Sequence, residues 1–166
     1  MILLKALSDV SVEEWRTVFA VNAESMFFLI QGIGPTMPPE GSIVNLSSSS
    51  AKLANTTDAA VYAASKTTVF SITGSFAFDL ARIPVWVNAI CPAIIDTPVQ
   101  DRFLEEVGLI RGTTVEDLKR ARNAAVPLGR AASPDELAGL IWFLLSETPG
   151  YMTGQAINYS GGYVTW

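Results

Sequence analysis

Tyr62 and Lys66 stand four residues apart in a stretch, Ala60 to Arg82, that contains no proline and one glycine. On a helix that spacing puts both side chains on one face. A phenol ordinarily titrates at about 10, and an ammonium beside it favours the phenolate, so the pair could exchange a proton with a substrate oxygen near neutral pH. Upstream, Ile43-Val-Asn-Leu-Ser-Ser-Ser-Ser50 is an apolar run that delivers hydroxyls to its carboxyl end. Ser49-Ser-Ala-Lys52 also fits Ser-x-x-Lys, in which a lysine activates a serine for acyl chemistry, but the Ser-Asp-Asn and Lys-Thr-Gly elements that accompany it are missing. Histidine is absent and Cys91 is the single cysteine, which excludes His-ligated metal sites, Ser-His-Asp triads and disulfides within one chain.

The elements that must position these groups are legible from their ends. Ser11-Val-Glu-Glu14 is a capping box and predicts a helix to about Gly32. After the breaker segment Gly34 to Gly41, Ser42 to Leu46 reads as a doubly covered strand, followed by a loop from Ser47 to Asp58. The long helix over 60–82 shows two apolar stripes, one through Val69, Ile72, Phe76 and Leu80, the other through Phe70, Ala77 and Ala81. Pro84 ends it, and Val85 to Cys91 is a second buried strand stopping at Pro92. From Ala93 to Pro127 the pattern weakens to a lid-like stretch with one helix, about Thr114 to Ala125, capped by Thr114. Ser133-Pro-Asp-Glu136 opens a helix whose inward stripe is Leu137, Leu140, Ile141, Leu144 and Leu145, with Trp142 and Phe143 outside it. Gly154 to Tyr159 is a third strand, ended by Gly161-Gly162. Helices between short apolar strands imply right-handed parallel crossovers, hence an α/β sheet of about three strands with helices on both faces.

At 166 residues the chain is one domain. Eleven basic against sixteen acidic residues leave −5 with no basic run, which excludes a phosphate-tracking surface and so a nucleic-acid partner. No uninterrupted apolar run reaches the roughly 18 to 20 residues of a membrane span, and Met1 to Leu7 is too short for a signal peptide, so no membrane partner and a cytoplasmic setting are expected. Asn45-Leu-Ser47, Asn55-Thr-Thr57 and Asn158-Tyr-Ser160 match the glycosylation pattern and receive no role.

Strand-Ser-Ser, then Tyr62-Ala-Ala-Ser-Lys66, Asn88-Ala-Ile-Cys-Pro92, Tyr151-Met-Thr-Gly-Gln155 and Ser160-Gly-Gly162 follow one another in an order that resembles the carboxyl-terminal portion of the short-chain dehydrogenase/reductase family. The resemblance covers nearly the whole chain. It implies a Rossmann-type fold, a nicotinamide cofactor (NAD or NADP), and hydride transfer coupled to proton transfer on a small alcohol or ketone. Tyr62 matches the family's acid/base, and Lys66 matches the lysine that lowers its pKa and holds the nicotinamide ribose. Asn22 matches the helix asparagine whose backbone seats a water in a proton relay. Pro92, Ala93, Ile95 and Thr97 match the loop against the nicotinamide amide, with Ala93 where glycine is usual. The substrate-binding serine is Ser48 by register from the strand and Ser49 by counting back from Tyr62. Strand geometry favours Ser48, because it decides where each side chain points.

The family's glycine-rich turn falls before residue 1, and no glycine precedes Gly32. The chain is therefore expected to be a single partial Rossmann-like domain, 1–166, lacking the N-terminal dinucleotide-binding half and binding its cofactor weakly. Two readings of function follow. One is an oxidoreductase of sugar alcohols, diols or similar substrates, a preference drawn from the resemblance of Val126 to Trp166 to polyol and acetoin-type dehydrogenases. The other is a non-catalytic subunit acting through homo-oligomeric association, which the two-sided helix and the aromatic end Tyr163 to Trp166 favour.

Overall fold

The computed structural model describes residues 1–53, 57–147 and 150–166. Three strands, β1 (Ser42–Leu46), β2 (Trp86–Pro92) and β3 (Ala156–Tyr159), form one parallel sheet in the spatial order β1-β2-β3. Ser42 pairs with Trp86 through to Leu46 with Ile90, and Ala89 with Ala156 through to Pro92 with Tyr159. This is the α/β, Rossmann-type arrangement that the sequence predicts. Val87, Ala89, Ile90 and Cys91 of central β2 are fully buried, so both faces of this strand are covered and its sequence reads as a run rather than an alternation.

The predicted first helix is three joined segments: α1 (Val12–Phe19), a π-turn (Ala20–Glu24) and α2 (Ser25–Ile33). Periodicity misses the π-turn because one inserted residue shifts the register without ending the helix. The helical run Val12–Thr36 has 25 residues and contains an 18-residue window of mean hydropathy 1.2, which by length and composition suffices to cross a membrane. That corrects the expectation drawn from uninterrupted apolar runs, which stop at Glu24. Val18 and Ile30 of this run are buried in the fold.

The crossover from β1 to β2 is α3 (Ala60–Leu80), and Ile30, Ala77, Leu80, Val85 and Val87 form a core cluster with Ile72 and Phe76 packed on it. Ala77, placed by sequence on the second stripe, therefore belongs to the core, and the aromatic that α3 turns outward is Phe78. Thr73, also inward, accepts from Asn45 Nδ2 at 2.9 Å. Burial removes Asn45 as a modification site, while Asn55 and Thr56 of the second glycosylation match lie outside the described residues.

The weak stretch after Ala93 holds two helices where one is predicted: α4 (Pro98–Arg111) and α5 (Val115–Ala124). The signals for α4 are Thr97 as its cap, Pro98 in its first turn and Gly112 at φ 65°, all at the ends and none in the periodicity. In α6 (Pro134–Ser146) Leu144 is buried, but Leu145, assigned to the inward stripe, is exposed beside Trp142 and Phe143. Glu136 closes the predicted capping box, with Ser133 N donating to its carboxylate at 2.8 Å and Ser133 Oγ accepting from Glu136 N at 3.2 Å. The Arg130 guanidinium, together with that cap, holds the Glu136 carboxyl at about 2. Ser133→Ala is expected to cost about 1 kcal/mol. Thermal unfolding should show a fall in Tm of about 2–4 °C, and an unchanged Tm would show that α6 does not depend on this cap.

Candidate active site

Two side chains and two main-chain carbonyls fasten the first turns of α3 to the carboxyl end of β1. Ser47 Oγ donates to the Lys66 carbonyl at 2.8 Å, and Lys66 Nζ donates to the Leu46 carbonyl at 2.8 Å. Ser47 N donates to Ile90 O at 2.9 Å, so the ends of β1 and β2 stay side by side. Because successive side chains of an extended chain point in opposite directions, Ser48 faces elsewhere than Ser47. Its backbone is extended (φ −161°, ψ 155°), and its hydroxyl accepts from Ser50 N at 3.1 Å and lies near enough to the Tyr62 hydroxyl to draw its titration down. Ser49 is buried in the 3-10 turn that follows, so of the two candidate serines Ser48 is the one at Tyr62.

Tyr62 and Lys66 share a face as their spacing requires, with Lys66 Nζ 6.0 Å from the Tyr62 ring centroid. The expected tuning is different, however. Burial pushes the Tyr62 phenol up and the Ser48 hydroxyl pulls it partly back, while burial pulls the Lys66 ammonium down. The reason is the direction of the ammonium, which turns to the Leu46 carbonyl instead of the phenol oxygen.

Asn22 lies in the π-turn, buried, and its Nδ2 donates to Ser65 Oγ at 3.0 Å and to the Met1 carbonyl at 2.8 Å. Ser65 Oγ in turn donates to the Tyr62 carbonyl at 2.7 Å. Asn22, Ser65 and the Tyr62 main chain are thus joined by hydrogen bonds around one end of the sheet, with Ser48 and Lys66 beside them. Ser65 carries no signal in a search for reactive spacing, beyond being a polar residue on an inward helix face.

Pro92, Ala93, Ile95 and Thr97 occupy the same carboxyl edge, one strand across. Ala93 N donates to Tyr159 O at 3.0 Å, Ala132 N to Ile94 O at 3.0 Å and Asp96 N to Ala132 O at 2.9 Å, and Ile95 forms a parallel bridge with Ala132. Thr97 Oγ1 caps α4 by accepting from Gln100 N at 3.3 Å. Among the described residues Glu40 is the one non-glycine with positive φ, so Ala93 sits in a conformation that does not require the usual glycine. Asn88, quoted in the motif without a role, is 1 % exposed. It ties β2 to the segment before β3, donating to Met152 O at 2.9 Å and accepting from Gln155 N at 3.0 Å. Lys52 donates to the main-chain carbonyls of Ala156 (3.4 Å) and Trp166 (2.9 Å), and among the described residues no hydrogen bond joins it to Ser49, which removes the basis for Ser-x-x-Lys chemistry.

A parallel sheet covered by helices, with a serine, a tyrosine and a lysine gathered at its carboxyl edge, defines a Rossmann-type α/β protein with a site where open sheets bind ligands. A family model described as enoyl-(acyl carrier protein) reductase matches residues 2–164. The 3-oxoacyl-[acyl-carrier-protein] reductase of Thermotoga maritima is 36% identical over 154 residues, 92% of this chain and 58% of that protein. The crystal structure of a short chain dehydrogenase family protein from Francisella tularensis superposes with a TM-score of 0.92 at 29% identity, covering 98% of this chain and 67% of that one. A 3-oxoacyl-[acyl-carrier protein] reductase with bound NAD from Brucella melitensis gives a TM-score of 0.79 at 29% identity, covering 98% of this chain and 57% of that one. The chain belongs to the short-chain dehydrogenase/reductase family. It spans roughly three fifths of the length of the curated relatives it matches, 57% to 62% of each.

The geometry predicts a Tyr62 titration above the ordinary phenol value of 10.0. Carbon-13 tyrosine NMR, with Tyr62 assigned by its loss in Tyr62→Phe, should show that midpoint, and Ser48→Ala should raise it further. A Tyr62 midpoint at or below 10.0 would overturn the burial argument.

Proposed function

We propose that this chain carries the substrate-facing and nicotinamide-facing part of an NAD- or NADP-dependent oxidoreductase that interconverts a secondary alcohol and a ketone. The observation that supports this reading most is the gathering of Ser48, at the carboxyl end of β1, with Tyr62 and with Lys66 Nζ 6.0 Å from the Tyr62 ring centroid. In the reducing direction Tyr62 gives its hydroxyl proton to the substrate oxygen as that oxygen gains negative charge, and Ser48 orients the same oxygen by a hydrogen bond. In the oxidising direction Tyr62 takes the proton back. Nicotinamide, when bound, supplies or accepts the hydride at the substrate carbon.

The residues present suit the nicotinamide-ribose end of that cofactor. Lys66 uses one of an ammonium's three N–H donors on Leu46, which leaves it able to hold ribose hydroxyls beside Tyr62. Pro92, Ala93, Ile95 and Thr97 form the wall at the next strand end, and Asn22 backs Tyr62 from the π-turn. The pyrophosphate end normally rests on backbone amides after a glycine-rich turn, and no glycine precedes Gly32. Residues 1–166 are thus read as a single partial domain, and fluorescence titration of this chain with NADH and NADPH should find weak binding or none. Submicromolar affinity would count against that.

The substrate is a small alcohol or ketone. The run from Val126 to Trp166 favours a sugar alcohol or diol, whereas the relative from Thermotoga maritima favours a 3-oxoacyl thioester, so assays should offer both classes. In whichever form of the protein turns over, Tyr62→Phe should lower the rate by about a hundred- to ten-thousandfold while leaving the fold intact. Ser48→Ala should cost more than Ser49→Ala. Retention of more than about a tenth of the rate in Tyr62→Phe would place the acid elsewhere.

Outward apolar side chains favour a second reading, in which association with further copies is the main role. Phe28 (58 %), Leu29 (61 %), Phe78 (88 %) and Trp142 (66 %) are exposed on α2, α3 and α6. Such faces suit a homo-oligomer in either reading, in a cytoplasmic setting that keeps Cys91 a thiol, with neither nucleic acid nor membrane as partner. Sedimentation at tens of micromolar should show dimers or larger species, and a well-folded monomer would refute the assignment of those faces.

A further inference from the structure

Ser65 lies three residues after Tyr62, is 0 % exposed, and takes part in no step assigned above. A hydroxyl has one proton to give, and Ser65 gives its proton to the Tyr62 main-chain carbonyl at 2.7 Å. The same oxygen can then meet Asn22 only as an acceptor, and Asn22 Nδ2 donates to it at 3.0 Å. Ser65, together with the Met1 ammonium that donates to Asn22 Oδ1 at 2.8 Å, therefore sets which way round the Asn22 amide sits, with Nδ2 towards α3. Thr17 and Thr68 also bond back to carbonyls four residues earlier, but both keep that single bond and neither is buried. Ser65 differs in being enclosed and in accepting from another element, the π-turn.

Tyr62 thus lies between two points. Its hydroxyl lies near Ser48 at the end of β1, and its main chain is bonded through Ser65 to Asn22 in the π-turn. Only the Cα–Cβ and Cβ–Cγ bonds turn between those points, so a shift of the main chain carries over in part to the hydroxyl. We propose that Ser65 is a positioning residue, which locks the π-turn to the turn of α3 bearing Tyr62 and so sets where the phenol hydroxyl meets Ser48. This rests on the reading of Tyr62 as the acid/base.

Ser65→Ala removes the hydroxyl and keeps the Cβ. With the main-chain anchor gone the phenol is free to move away from Ser48, whose hydroxyl is what draws its titration down. The Tyr62 midpoint in carbon-13 tyrosine NMR should therefore rise, and kcat should fall by about ten- to a hundredfold with KM changed by less than about twofold. Asn22→Ala cuts the same link from its other end and should raise the midpoint likewise. In the double variant the two shifts should not add. A folded Ser65→Ala with midpoint and kcat unchanged, however far its Tm falls, has lost only a structural bond and overturns the proposal, as do fully additive shifts. If Ser65→Ala does not fold, the midpoint of Asn22→Ala decides: a rise supports the link and no shift overturns it. The titration needs neither cofactor nor substrate, so failure of the Tyr62 reading shows itself separately, as an active Tyr62→Phe.

Discussion

Parallel neighbours cannot be joined by a tight turn, and the site depends on that constraint. The chain leaving β1 must run back the length of the sheet before β2 can begin beside it, and α3 is that return. At about 1.5 Å per residue, its 21 residues span about 30 Å. The five residues of β1 span about 17 Å at about 3.3 Å each. The helix therefore overhangs. Lys66 Nζ on the Leu46 carbonyl shows that the second turn of α3 lies level with the end of β1, so the first turn, with Tyr62, projects past the sheet edge. Length mismatch in a crossover is enough to carry a tyrosine over the mouth of the strands.

Double coverage of the sheet has a second consequence, because each polar group it buries must find a partner or cost about 1–3 kcal/mol. Asn45 meets Thr73, Asn88 meets the main chain of Met152 and Gln155, and Ser47 meets the Lys66 carbonyl. Each bond joins a strand to an element far away in sequence, so each helps to fix register. The same burial acts on Tyr62 in the opposite sense, since nothing offsets its desolvation fully and its phenol stays neutral to higher pH. A neutral phenol is the species that can give a proton to a carbonyl oxygen. Under the proposed reading this direction favours the acid role of Tyr62, and the base role calls for further positive charge beside the phenol.

What the sequence disclosed and what it concealed divide along local and non-local lines. The caps at Ser11, Thr114 and Ser133 were legible because a cap is a bond between residues three apart. Ser48 was legible because extended chain alternates, which sends Ser47 to the Lys66 carbonyl and Ser48 to Tyr62. The helix α4 was hidden because its ends, not its periodicity, carry its signal. The direction of the Lys66 ammonium was hidden for a different reason: an i,i+4 spacing fixes the face of a helix but not where a flexible four-carbon stem places its charge. The bond from Asn22 to Ser65 spans 43 positions, and no spacing rule within either helix points to it.

The two sides of the site are held with unequal firmness. On the α3 side Asn22 and Ser65 share a buried hydrogen bond, and Ser47, Ser48 and Ser65 are tied by partly buried ones. On the other, residues 92–97 are fastened to the sheet and to Ala132 by main-chain bonds, but α4 and α5 beyond them are joined to each other and to that loop by ion pairs at the surface. Lys119 reaches Asp101 at 2.6 Å with both side chains more than a third exposed, and Arg122 reaches Asp96 only at 3.8 Å. The exposed Lys119–Asp101 pair contributes about 0–1 kcal/mol and weakens with salt, whereas the Arg122 side chain is 11 % exposed against 62 % for Asp96. Local opening follows the weaker side, so α4 and α5 are the elements free to admit a ligand, while the Asn22, Ser65 and Tyr62 linkage keeps the reacting edge in place.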